Sequence, residues 1–358
     1  MNIRLRNQLE EFEEMHHNAF ITALELKSSG KHIAGIYGVN VPREILWALD
    51  IVPINIFGID GSNIEAAEGY MDKQGCSLVK ASYGYIVTDR CPFSHFADII
   101  IGTGYCHEKK RMIQRLDGLK QVYILNENTS ENSTISEYKD LVYFLQQRFN
   151  VMLCEDRLKD IVKKNNTVVR LIQEITDIYI EHPYIMGSDD LISIVYGSQF
   201  IFDLDERINK LYQLKEILMR LLAESSVNFS ARRILITGAP VAGFKGEVVK
   251  QLSSPDVAIL SQSYCEGENC NTINEECDLY LGLAQKYLAE GSTSHLDQII
   301  KKYNIEVIVH MTFKRCSLMD RKYENTNIPC LHITADYNDD YENIVMRIKE
   351  FLKEQVLI

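Results

Sequence analysis

The chain has 358 residues, 46% hydrophobic and 25% charged, the balance of an ordinary globular protein long enough for two domains. Its net charge of −12 argues against a duplex nucleic acid partner, because phosphate binding needs a basic face. No window approaches the roughly 20 apolar residues that span a bilayer, and the charged N-terminus lacks the apolar centre of a signal peptide, so a cytoplasmic protein with no membrane partner is expected.

Residues 1–31 read as a helix whose apolar positions Leu5, Leu9, Phe12, Ala19, Ala23 and Leu26 serve packing, with His16 and His17 solvated. A strand at 32–37, a helix at 43–49 behind Pro42 and a strand at 52–57 form a β-α-β unit, the opening of a parallel α/β domain at 32–130.

The same domain holds GCSLVKASYGYIVTDRCPFSHFADIIIGTGYCHEKKR, where Cys76, Cys91 and Cys106 lie fifteen residues apart. Cys76 heads a predicted helix at 77–88, which closes at the Cys91-Pro92 step because the residue before proline avoids helical geometry. A loop leads into an apolar strand at 97–101, ended by Gly102 and Gly104. Cys106 falls just past its carboxyl end, where open parallel sheets place their ligands. Three thiols on loops and helix ends of one short unit point to soft-metal ligation rather than to three separate buried hydrophobes. Lys80, Lys109, Lys110 and Arg111 are the nearest basic groups, and solvated helix faces are expected for the last three as much as a role beside the thiols. A strand at 121–125 and a polar loop at 126–133 end the domain.

Helical periodicity then runs from 136 to 226, giving a connector at 131–230 in which Cys154 starts a helix and reads as core. The second α/β domain, 231–358, opens with a strand at 234–237 and GAPVAGFKGEVVKQL. Gly238, Gly243 and Gly246 permit close backbone approach there, and the helix N-terminus suits an anion. It is not a Walker A loop, since Phe244 separates Gly243 from Lys245 and no hydroxyl follows. A strand at 257–260 leads to Cys265, Cys270 and Cys277, and a strand at 305–311 leads to Cys316. A strand at 330–334, with Cys330 as core, and a helix at 341–354 complete the domain. Cys106, Cys265 and Cys316 each follow a strand's carboxyl end, so two sheets facing across a cleft would bring them together at a site suited to an iron–sulfur cluster. Zinc is the competing ion, but its structural sites use close cysteine pairs, and only Cys265 and Cys270 approach that spacing.

The runs GVNVPREILWALDIVPINIFG, CSLVKASYGYIVTDRCPFSHFADIIIGTGYCHEKKR and ITGAPVAGFKGEVVKQL, in that order, resemble the 2-hydroxyacyl-CoA dehydratase and benzoyl-CoA reductase superfamily over nearly the whole chain. Within it, KASYGYIVTDRCPF and the Cys-x-x-Lys-Lys-Arg beyond are most similar to the double-cubane cluster proteins. The resemblance implies two Rossmann-like parallel-sheet domains facing a cleft, an iron–sulfur cluster between them, and a separate ATP-hydrolysing activator carrying its own cluster. It also implies a homodimer or a heterodimer with a related subunit. Cys76, Cys106 and Cys316 match the ligands of a 4Fe–4S cluster, and Cys91 and Cys265 match additional ligands of a double-cubane 8Fe–9S cluster. The Pro-Cys-x-Cys element of that branch is missing, since KYLAEGSTSHLD holds no cysteine. Cys270 is the expected sixth ligand, because Gly267 lets the loop fold back, with Cys277 as the alternative. Three functions follow from the resemblance: a low-potential reductase of a small molecule, a dehydratase subunit acting on an acyl-CoA thioester, and a non-catalytic partner subunit. No catalytic residue is assigned.

Overall fold

The computed structural model describes residues 2–224, 231–265, 271–289, 293–317, 323 and 327–355. Helix α1 (Ile3–Ser28) is capped by the Asn2 side chain, which accepts from Arg4 N–H, and it buries Leu5, Leu9, Phe12, Ala19 and Ala23 along one stripe. The first sheet follows: β1 (His32–Tyr37), α2 (Arg43–Ala48), β2 (Ile51–Asn55), α3 (Ser77–Val87), α4 (Pro92–Phe96), β3 (Ile99–Thr103), α5 (His107–Leu116) and β4 (Val122–Leu125). Its strands lie in the order β2-β1-β3-β4, all parallel. Every residue of β3 is buried, as expected of a central strand covered by helices on both faces.

Four long helices make the connector: α6 (Glu131–Phe149), α7 (Glu155–Glu181), α8 (Ser188–Gly197) and α9 (Leu204–Ala223). The second sheet is built from β5 (Arg232–Gly238), α10 (Gly246–Leu252), β6 (Val257–Ser263), α11 (Leu279–Ala289), α12 (Thr293–Tyr303), β7 (Val307–Phe313), β8 (Cys330–Ala335) and α13 (Tyr341–Glu354). Its order, β6-β5-β7-β8, repeats that of the first sheet, and all its pairings are parallel. The protein is thus α/β with two parallel-sheet units. No helix among the described residues is long and apolar enough to cross a membrane.

Local expectations need four corrections. The polar break is shorter than read, because Ser130 caps α6 and starts it at Glu131. The stretch after Cys91 is helical, with Pro92 at the first position, where its missing N–H has no cost. Cys154 does begin a helix, α7, but it is exposed rather than core. His16 is not solvated: its ring packs against Phe200, Tyr196 and Phe93, with centroids 4.7, 5.6 and 6.0 Å away. Burial, then the neighbouring His17, lowers its pKa to about 4.

A buried polar network ties the three parts together. Lys286 of α11 pairs with Glu44 of α2 at 2.8 Å, and Tyr287 donates to the other Glu44 oxygen at 2.8 Å. Asn165 of α7 adds a third bond at 2.7 Å. Burial pushes the Glu44 carboxyl up, but the charge and hydrogen bond of Lys286 outweigh it and hold the pKa below its ordinary value. Next in the chain, Asn166 holds the loop before α11 by accepting from Ile273 N–H at 2.8 Å and donating to the Ile273 carbonyl at 2.8 Å.

Candidate metal centre between the two sheets

In each sheet the chain order switches direction beside the first strand, at β1 and at β5, and the crevice outside that point is where open parallel sheets bind ligands. The loops beyond the two sets of carboxyl ends meet. Tyr337, past β8, donates to the Gly58 carbonyl at 2.7 Å, and Arg315, past β7, donates to the Lys73 carbonyl at 2.6 Å. Ser77, opening α3, donates to Asp336 at 2.7 Å. Gly243 has a φ of +95°, and a Cβ there would stand 3.2 Å from the Ile59 carbonyl oxygen of the first unit. A Cβ on Gly238 would stand 2.2 Å from the Met311 carbonyl oxygen. The glycines of GAPVAGFKG therefore admit close approach of protein backbone.

Between these contacts lie four of the thiols. Cys76 immediately precedes α3, and its thiol lies beside Cys316, which follows β7 in the other unit. That contact, then burial, then the charges of Cys316 and Cys265, push the Cys76 thiol well above its ordinary range. Tyr37, the last residue of β1, is fully buried and donates to Ser82 at 2.9 Å. Burial pushes its phenol up, and the nearby Cys76, Cys265 and Cys106 push the same way. Cys106 heads α5. One turn further, Lys109 is only 4% exposed, lies 5.4 Å from the Tyr37 ring centre and donates to the Cys265 carbonyl at 3.1 Å. Cys265 N–H in turn donates to Ser263 at 3.1 Å, which fixes the loop leaving β6.

The other described cysteines are elsewhere. Cys91 caps α4, which feeds into the first residue of β3, so it sits at the amino edge of the sheet whereas Cys106 sits at the carboxyl edge. Burial raises its pKa, and Ser94 N–H donates to its sulfur at 3.4 Å. Cys277 donates to the carbonyls of Asn274 at 3.2 Å and Asp278 at 3.4 Å. Cys270 lies outside the described residues. Cys330 is half-buried on β8, its thiol pushed up to about 11 by burial.

Sequence reasoning left Tyr37, Tyr337 and the burial of Lys109 unseen. Lys109 could have been found, since Met112, Ile113 and Leu116 follow it at helical spacing and mark its side of α5 as the buried one. Lys110 and Arg111 point off that face.

Among the described residues, no three His, Cys, Asp or Glu side chains are close enough to grip a single ion. A cluster spreads its thiolates around a cube of iron and sulfide and tolerates wider spacing. Crowded thiols cannot all ionise without a cation to offset them, and a metal supplies that offset. The donor set of Cys76, Cys106, Cys265 and Cys316 is all sulfur, the chemistry that selects iron–sulfur clusters over hard cations.

The family described as 2-hydroxyglutaryl-CoA dehydratase, D-component, matches residues 38–354. The YjiM protein of Escherichia coli K12, named as a dehydratase subunit, is 27% identical over 96% of this chain and 97% of its own. The beta subunit of (R)-2-hydroxyglutaryl-CoA dehydratase from Acidaminococcus fermentans is 20% identical over 64% of this chain and 62% of its own. A laminin-binding adhesin of Streptococcus agalactiae superposes with a TM-score of 0.19 at 11% identity, too distant to bear on fold or function. With most of its length matched, the chain belongs to the 2-hydroxyglutaryl-CoA dehydratase D-component family.

Proposed function

We propose that the chain is the cluster-bearing subunit of a 2-hydroxyacyl-CoA dehydratase, holding a 4Fe–4S cluster between its sheets through Cys76, Cys106 and Cys316. The observation that carries this reading is that Cys76 and Cys316, from opposite units, lie beside one another, while Cys76, Cys106 and Cys265 all act on the Tyr37 hydroxyl. A bound cluster would supply one-electron chemistry at low potential, with the electron arriving from a separate ATP-hydrolysing activator. The protein's own part is to hold the thiolates, keep water out with the buried ring of Tyr37 and the half-buried ring of Tyr337, and fix the Cys265 loop through Lys109. The substrate is an acyl-CoA thioester, met together with a related partner subunit.

A low-potential reductase with a double-cubane cluster is the second reading, favoured by Cys265 standing with the other three thiols. The distant placement of Cys91 weighs against it. Iron and sulfide per chain after anaerobic reconstitution separate the two: about four iron atoms for the dehydratase and about eight for the double cubane. Cys76→Ala, Cys106→Ala and Cys316→Ala should each lose the iron, while Cys154→Ala keeps it. Full iron in Cys316→Ala would overturn a site shared between the units.

A further inference from the structure

Among the described residues, Lys109 stands out as a buried cation with no carboxylate beside it. Among the described residues its only polar partner is the Cys265 carbonyl, its other contact is the face of Tyr37, and no carboxylate lies in ion-pair range. An ammonium removed from water costs several kcal/mol unless an opposite charge offsets it, and a carbonyl with a ring face offsets only part. Lys286, by comparison, has the carboxylate of Glu44 beside it. The thiols of Cys76, Cys106 and Cys265, which can become anionic, act on the same Tyr37 that Lys109 faces, and Lys109 is bonded to the Cys265 carbonyl. Thiolates that hold an iron–sulfur cluster carry net negative charge.

From this geometry we infer that Lys109 is the built-in counter-charge of the thiolate-held cluster, a positioning residue that favours the reduced form and anchors the Cys265 loop. The inference rests on the cluster reading and adds what sets the cluster's potential. Adding an electron increases the negative charge beside the ammonium, so the cation stabilises the reduced state more than the oxidised one.

The test compares the full-length parent with Lys109→Met, Lys109→Gln and Lys109→Arg, each reconstituted anaerobically. Iron content is measured first, then the midpoint potential by redox titration followed by electron paramagnetic resonance. Neutral variants that keep parental iron should be at least tenfold harder to reduce, a shift of about 59 mV for one electron. Lys109→Arg should recover most of that shift. Coincident potentials at equal iron overturn the role of Lys109 and leave the cluster reading standing. If a neutral variant unfolds like the parent yet loses its iron, Lys109→Arg decides: iron retained supports the counter-charge, and iron lost assigns Lys109 to shape alone. A parent chain that takes up no iron overturns the cluster reading and this inference with it.

Discussion

At the scale of single residues, His16 shows how burial converts an ordinary imidazole into a pH-dependent strut. Its ring stays neutral in the folded chain because three aromatic neighbours replace water, which lowers its pKa to about 4. An unfolded histidine titrates near 6.5. The contribution is therefore fully present above pH 6.5 and is lost as pH falls towards 4, with an upper value of roughly 3 kcal/mol. The charged groups lining the adjoining cavity, Arg6, Glu10, Glu13, Asp189, Asp190, Glu247 and Lys250, are the same in a His16→Phe chain. Urea unfolding at pH 7 and pH 4.5 should show that variant losing less stability than the parent, and equal losses would refute the assignment. The sequence marks Leu5, Leu9 and Phe12 as the buried stripe of α1, yet His16 lies one turn beyond Phe12 and shares that face. The placement of Cys76, Cys106 and Cys316 was legible because each sits where a strand or helix visibly begins or ends. Tyr37 carries no such mark, since only the pairing of β1 between β2 and β3 places it at the switch point.

At the scale of elements, the pair of Glu44 and Lys286 holds α2 and α11 against α7. Removing one partner of a buried pair leaves the other charge unoffset. Lys286→Ala should therefore cost about 3–5 kcal/mol, whereas Lys286→Met with Glu44→Gln should cost less than the single change. Chemical denaturation followed by circular dichroism measures both, and a single-mutant loss under about 1 kcal/mol would show that the pair is dispensable. The strands and long helices were legible from apolar period and from Gly and Pro punctuation. Short pieces were not: α4 has five residues, too few for a period to show. The Glu44 network was also hidden, because its partners lie about 120 and 240 positions along the chain from Glu44.

For the whole molecule, two sheets of the same strand order present their carboxyl ends to one another. That arrangement was legible from strands alternating with helices on either side of a helical stretch. The facing of the sheets rested on the family resemblance, since no local pattern encodes it. The chain has no phosphate cradle of the Walker type in its sequence, and the glycine loop after β5 is closely approached by backbone from its neighbours. Purified chain given ATP and no second protein should release phosphate at background rate; turnover above it would remove the need for an external activator.

Three of the bonds that close the cleft share one feature. Lys109, Arg315 and Tyr337 each reach from their own unit to a main-chain carbonyl of the other, at Cys265, Lys73 and Gly58. A carbonyl is offered by every amino acid, so the bond itself constrains backbone path rather than side-chain identity, and only Gly58, where a Cβ would stand 2.6 Å from that of Ala81, and the thiol of Cys265 are held by other demands. Substitutions on the accepting loops can then accumulate without loosening the two halves, provided the three donors stay. Among distant members of the family, loop sequences beside the cleft should diverge freely while its width is conserved, and the burden of recognition falls on a few long polar side chains.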